Sequence, residues 1–230
     1  MVAVAAPASA ATIKASHFTK AKYDAQTSNF VVATENFEGF GEGNVADGFS
    51  TAVGRFYSLG GTGTGGTVTN ADFANDGSML AVRDGRVYGR RSTTSYLTGD
   101  GSDQMFLDSN DTMGIKWTAD IGGGMFNKLV LTLTDAADTG AIMEIVAGGM
   151  TYSFDGRRDA NKKLIVIKLD EKVGSTDILF RHLDKNGNLR TNDGFSLDDI
   201  AVSAVPLPAS ALLLLGGLAG FGAFARRKTA

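Results

Sequence analysis

The chain has 230 residues, of which 43% are hydrophobic and 20% charged. That is ample for the core of one large β domain or two small ones, and it excludes a disordered polymer. A formal net charge of -3 argues against a nucleic-acid binder, which needs a basic face, and the absence of cysteine excludes disulfides, thiolate chemistry and cysteine zinc sites.

The chain opens on MVAVAAPASAATIKASHF. Small apolar residues run to Ala10, and Ala8-Ser9-Ala10 fits the small-x-small pattern of a signal-peptide cleavage site. A basic start and a full apolar region are missing, so residues 1–10 read as the remnant of a signal peptide, with the mature protein beginning near Ala11. The competing reading is a plain Ala-rich N-terminus. Residues 11–27, with His17, are expected to form a mobile N-terminal segment ahead of the main domain.

Residues 28–204 are expected to form that domain. Of the three prolines, Pro7, Pro206 and Pro208, none falls between 8 and 205, which suits a sheet because proline removes a ladder donor. The 30 glycines favour turns over long helices. Short β-type runs follow one another between turn signals: residues 29–38, 53–60, 79–91, 104–109, 114–120 and 126–135, then AIMEIVAG, MTYSFDG, KKLIVIKLD, TDILFRHLD and a last run through 194–202. Asp84-Gly85 and Asn186-Gly187 read as hairpin turns, and Asn110-Asp111-Thr112 as a polar turn. In 126–135, Leu129, Leu131 and Leu133 share one face, and Lys128 and Thr132 the other. Roughly eleven strands with no intervening helical period predict an all-β fold, an antiparallel two-sheet sandwich of jelly-roll type. Phe37-Glu38 early and DGFSLDDI at 193–200 loosely resemble the first and last strands of lectin-like or carbohydrate-binding jelly rolls. That likeness implies termini lying side by side.

Little catalytic chemistry is legible in this block. GTGTGG at 61–66 has the spacing of a dinucleotide loop, but no helix pattern follows, so it reads as a flexible loop. His17 and His182 are the two histidines, and His182 in ILFRHLD is expected to face solvent. Glu38, Glu42, Glu144, Asp198 and Asp199 could supply a glycosidase pair only if two of them faced each other in a cleft. Asp184-Lys185-Asn186-Gly187-Asn188 alternates oxygen ligands but lacks the glycine and glutamate of an EF-hand loop, and fits a hairpin turn better. No cofactor is expected other than a structural calcium, for which Glu38 in the first strand would meet Asp198 and Asp199 in the last. Trp117, Tyr57, Tyr88, Tyr96 and Tyr152 could stack on sugar rings, although strand aromatics are more often core.

The chain closes on VPLPASALLLLGGLAGFGAFARRKTA, 205–230. From Ala209 to Ala225 only Ser210 is polar, which gives a helix of about 25 Å, near the lower limit for spanning a bilayer. Arg226, Arg227 and Lys228 follow at once and read as a cytoplasmic stop, leaving the domain outside. Val205-Pro206-Leu207-Pro208-Ala209, an apolar helix and a basic end, in that order, resemble the VPLPA variant of the PEP-CTERM sorting signals. The resemblance implies a Gram-negative exported protein, held transiently in the inner membrane through a transmembrane helix over 209–225. It further implies processing near the motif by an exosortase-type enzyme, and a destination at the cell surface or in the extracellular matrix. The expected role is therefore non-enzymatic. A carbohydrate-binding module acting on exopolysaccharide is the alternative, and a secreted glycoside hydrolase a more distant one.

Overall fold

The computed structural model describes residues 11–61, 66–68 (backbone only), 79–87, 89–99, 104–137, 140–155, 161–191 and 194–205. Ala8 and Ala10 of the expected signal-cleavage site, Tyr88, residues 62–65 and the residues from Pro206 onward lie outside them.

Among the described residues the elements run β1 (Ala11–His17), α1 (Lys20–Thr27), β2 (Val31–Glu35), β3 (Gly43–Val45), β4 (Phe49–Thr51), β5 (Gly54–Ser58) and β6 (Gly66–Val68). There follow β7 (Leu80–Arg83), β8 (Arg86–Val87), β9 (Arg90–Arg91), α2 (Thr94–Thr98), β10 (Phe106–Asp108), β11 (Gly114–Asp120) and β12 (Phe126–Thr134). The series ends with β13 (Ile142–Ala147), β14 (Met150–Asp155), β15 (Lys162–Val173), β16 (Ser175–Leu183), β17 (Leu189–Thr191) and β18 (Ser196–Ser203). They form two antiparallel sheets. The first has the order β1-β15-β12-β18-β10-β7-β3, with β2 also on β18. The second has the order β14-β13-β16-β11-β5-β4, with β17 on β16 and β6 on β17. β8 and β9 pair only with each other.

One apolar cluster joins the sheets in a β-sandwich-like arrangement. The first sheet supplies Leu107, Leu129, Leu131, Leu133, Ile165 and Ile200; the second supplies Phe56, Ile115, Trp117, Met143, Ile178 and Phe180. Leu129, Leu131 and Leu133 share the face that the alternation assigns them. Trp117 is fully buried, stacked on Phe56 at 5.8 Å and 12°, with its indole N–H donating to the Val53 carbonyl at 3.1 Å. Each large side chain buried here contributes about 1.5–3 kcal/mol. The outer face of the first sheet is covered too: Phe18, Val130, Leu164 and Ala201 pack under Tyr23 of α1 and Leu97 of α2. That second layer explains why Thr132 is buried although it opposes the leucines.

Several expectations change. Residues 11–27 are not a loose leader: β1 pairs with β15 over seven residues, from Ala11↔Leu169 to His17↔Lys163, and Thr19 caps α1 by accepting from the Lys22 N–H at 3.3 Å. Asp84-Gly85 turns the chain but makes no hairpin across itself. β7 is held between β10 and β3, so no edge is left for residues 86–91, and β8 pairs with β9 instead. His182 is fully buried, because it shares strand parity with the core residues Ile178 and Phe180. Its ring lies 4.9 Å from that of Phe195, and its Nε2 accepts from the Ala137 N–H at 3.4 Å.

Other readings hold. Asn186-Gly187 forms a tight connection in which the Asp184 N–H reaches the Asn188 carbonyl at 2.8 Å and Leu183 pairs with Leu189. The 110–112 turn carries the chain from β10 in one sheet to β11 in the other. The neighbouring early and late strands are also found, since β2 lies on β18 with Ile200↔Glu35 and Val202↔Ala33.

Candidate functional site

β18 is central, with β12 along one side and β10 followed by β2 along the other. Its register on β12 slips between Thr132↔Asp198 and Val130↔Ala201, and Asp199 takes a positive φ of 48°. An extra residue in one strand of a pair is a β-bulge, which resets the in-out alternation. Leu197 faces the core, as do Ile200 and Val202 beyond the bulge. The two consecutive aspartates between them therefore both face outward, under the strap formed by residues 92–98.

Both carboxylates are buried, and the strap supplies hydrogen-bond donors to each. Asp198 Oδ2 accepts from the Ser92 hydroxyl at 2.6 Å and the Thr93 N–H at 2.8 Å, while its Oδ1 accepts from the Asp199 N–H at 2.7 Å. The Thr93 hydroxyl lies 2.5 Å from Asp199 Oδ2, and the Thr94 hydroxyl donates to Asp199 Oδ1 at 2.9 Å. Burial, and then the neighbouring Asp199 carboxylate, hold Asp198 well above the usual carboxylate range. The adjacent pair therefore retains a proton where exposed carboxyls have lost theirs. Both Asp198 oxygens accept from backbone N–H groups, which cannot turn away, and the Thr132 hydroxyl, 2.5 Å from that of Thr93, donates to the Asp198 carbonyl at 3.0 Å. Above the pair, Tyr23 is kept protonated by its own burial first and by Asp199 and Asp198 next.

Glu38 is not brought to the pair. β2 stops at Glu35, and Glu38 sits in the following turn, where its Oε1 accepts from the Met105 N–H at 2.9 Å. Among the described residues no group of three or more His, Cys, Asp or Glu side chains is assembled to hold a metal. Glu144 is paired with Arg181, and Glu42 is exposed.

A second polar cluster flanks the first. Arg90, buried, reaches Asp111 at 2.7 Å and Asp108 at 3.4 Å, with Arg83 at 3.8 Å from Asp108. Burial outweighs the arginines and pushes Asp108 up to about 6. The glycine of the DGF stretch serves this cluster: a Cβ on Gly194 would fall 1.4 Å from Arg90 Nη1.

On the same face a cleft of about 440 Å³ runs between α1 and the β1–β15 pair, lined among others by Lys14, Ser16, Lys22, Gln26, Tyr152 and Lys168. Sequence reasoning missed it, because Lys168 lies far along the chain from Lys14 and Lys22 and only the β1–β15 register brings them together. Among the candidate stacking aromatics, Trp117 is core and Tyr96 carries the Lys162 ammonium 3.4 Å above its ring.

β18 ends at Ser203, and the Ala204 N–H still binds the Phe30 carbonyl at 2.9 Å. Of the expected sorting motif only Val205 is described, immediately past the last sheet contact. Among the described residues no helix is long and apolar enough to cross a membrane. The chain matches no family model, and no curated protein matches it.

Proposed function

We propose that this chain is an exported surface or matrix protein of a Gram-negative bacterium. In this reading a jelly-roll domain is retained in the inner membrane by a helix over 209–225, with Arg226, Arg227 and Lys228 on the cytoplasmic side. An exosortase-type enzyme then processes it at Val205-Pro206-Leu207-Pro208-Ala209, and the domain performs no catalysis of its own. The observation that carries the reading is the ordered composite at 205–230: a proline-held extended motif, an apolar stretch of membrane length and a basic stop. Its position supports the reading, since the motif starts two residues after the last strand, where a processing enzyme could reach it without opening the domain. A reporter exported by its own signal and carrying residues 205–230 tests this. The reading expects membrane retention followed by release, and it fails if the reporter behaves identically with and without the tail.

The second reading, a carbohydrate-binding module for exopolysaccharide, is favoured by one specific feature, the lysine-lined cleft.

A further inference from the structure

The outer face of the first sheet concentrates cations in a chain whose formal net charge is -3. Lys168 on β15 stands directly opposite Lys128 on β12, a pairing of like charges that costs stability. Lys128 is partly relieved, because its Nζ donates to the Gln26 carbonyl at 2.5 Å, at the C-terminal end of α1, where helix carbonyls favour a cation. Lys22 donates to the His17 carbonyl at 3.0 Å. The Lys14 and Lys168 ammoniums have no hydrogen-bond or ion-pair partner among the described residues. The nearest acid on α1, Asp24, is taken by Lys20 at 2.9 Å. Asp170 points outward from β15 but does not line the cleft.

We infer that the cleft between α1 and the β1–β15 pair is a binding site for a carboxylated oligosaccharide, with Lys14, Lys22 and Lys168 meeting its carboxylates. The ammoniums are spread along the cleft, which suits an extended polyanion whose charges are also spread. Lysine meets such charges as a compact point charge with rotatable donors, without the rigid fork that arginine would impose. Ser16 and Gln26 offer hydroxyl and amide groups to sugar hydroxyls, and the half-buried Tyr152 offers a phenol at the wall. The identification of the anion as a matrix glycan rests on the export reading above. Binding is nevertheless measured on the purified chain, so a negative result leaves the sorting reading standing, and a failed reporter leaves this one standing.

The test is calorimetric titration of the full chain in neutral detergent with an oligogalacturonate and, separately, a malto-oligosaccharide of equal length. The acidic oligomer should bind about tenfold or more tighter than the neutral one and weaken with added salt. The Lys14→Gln/Lys168→Gln double variant should lose about tenfold in affinity, while Lys185→Gln, on the distant 184–188 turn, should bind as the parent does. Trp117 emission reports whether each variant is folded. If the double variant is not, Lys168→Gln alone, together with the salt dependence, decides. Equal affinity for the acidic and neutral oligomers, or a folded double variant that binds normally, overturns the inference. So does binding to phosphatidylglycerol vesicles that needs Lys14 and Lys168 while the oligogalacturonate fails to bind, since the face would then be a membrane contact.

Discussion

Asp198 and Asp199 are neighbours of identical type whose roles diverge because of what donates to them. An amide at 198 would have to turn one N–H toward the backbone N–H of Thr93 or Asp199. Asp198→Asn should therefore destabilise by about 1–3 kcal/mol, the usual cost of a buried donor without an acceptor. Asp199 accepts from the Thr93 and Thr94 hydroxyls, which can rotate to meet an amide, and asparagine tolerates the positive φ. Asp199→Asn should cost less than about 1 kcal/mol in a denaturant titration. The reverse order would contradict this contrast between fixed backbone donors and rotatable hydroxyls. Asp108 makes a separate pH prediction. Its carboxyl rises from 3.8 to about 6 on folding, so the unfolded chain releases that proton first as pH rises. The stability it contributes is complete below pH 3.8 and lost as pH climbs through about 6. The parent should lose about 1–3 kcal/mol across that window, and Asp108→Asn should lose less. A parent whose stability rises over the same interval would contradict the assignment. At this scale the sequence showed the two aspartates but not their partners, because Ser92, Thr93 and Thr94 lie about a hundred residues away and meet them only through the fold.

Alternation of side chains exposed most of the strands, and the leucines of β12 fall on the face their spacing assigns. Parity also had the answer for His182, since residues 178, 180 and 182 share a face; the polarity of imidazole suggested the wrong side. What alternation could not supply was pairing. Asp84-Gly85 has the chemistry of a hairpin turn, yet β7 is claimed by β10 and β3, an instance of tertiary context overriding local preference. The bulge in β18 is equally hidden, because a positive φ at an aspartate leaves no mark in the sequence. Close approach of strands makes a further prediction. Gly114, at φ +145°, opens β11 where an added Cβ would lie 2.0 Å from the Phe180 carbonyl oxygen. Gly114→Ala should cost about 3 kcal/mol or more through overpacking and backbone strain together. Gly149, also at positive φ but with nothing within 4 Å of its added Cβ, should tolerate alanine better. Equal melting temperatures for the two variants would refute the distinction.

Seen whole, the described residues form two packed antiparallel sheets, and their last described hydrogen bond along the chain, from the Ala204 N–H, falls one residue before the proposed motif at Val205. The all-β class was legible because proline is confined to the ends and helical periodicity is scarce between them. The place of β1 was not, since a seven-residue edge strand next to an Ala-rich stretch of sequence carries little periodic signal. The central claim is that residues 206–230 hold the domain at a membrane and contribute nothing to its fold. It is tested by fractionating Gram-negative cells that express the chain behind a complete export signal, either full-length or ending at Val205, and recording the emission of the single tryptophan, Trp117, from each product. The account predicts full-length chain in the alkali-resistant membrane fraction and truncated chain in the soluble exported fraction, both with the blue-shifted emission of a buried indole. Truncated chain that stays with the membrane, or that loses the buried-indole emission, would contradict it.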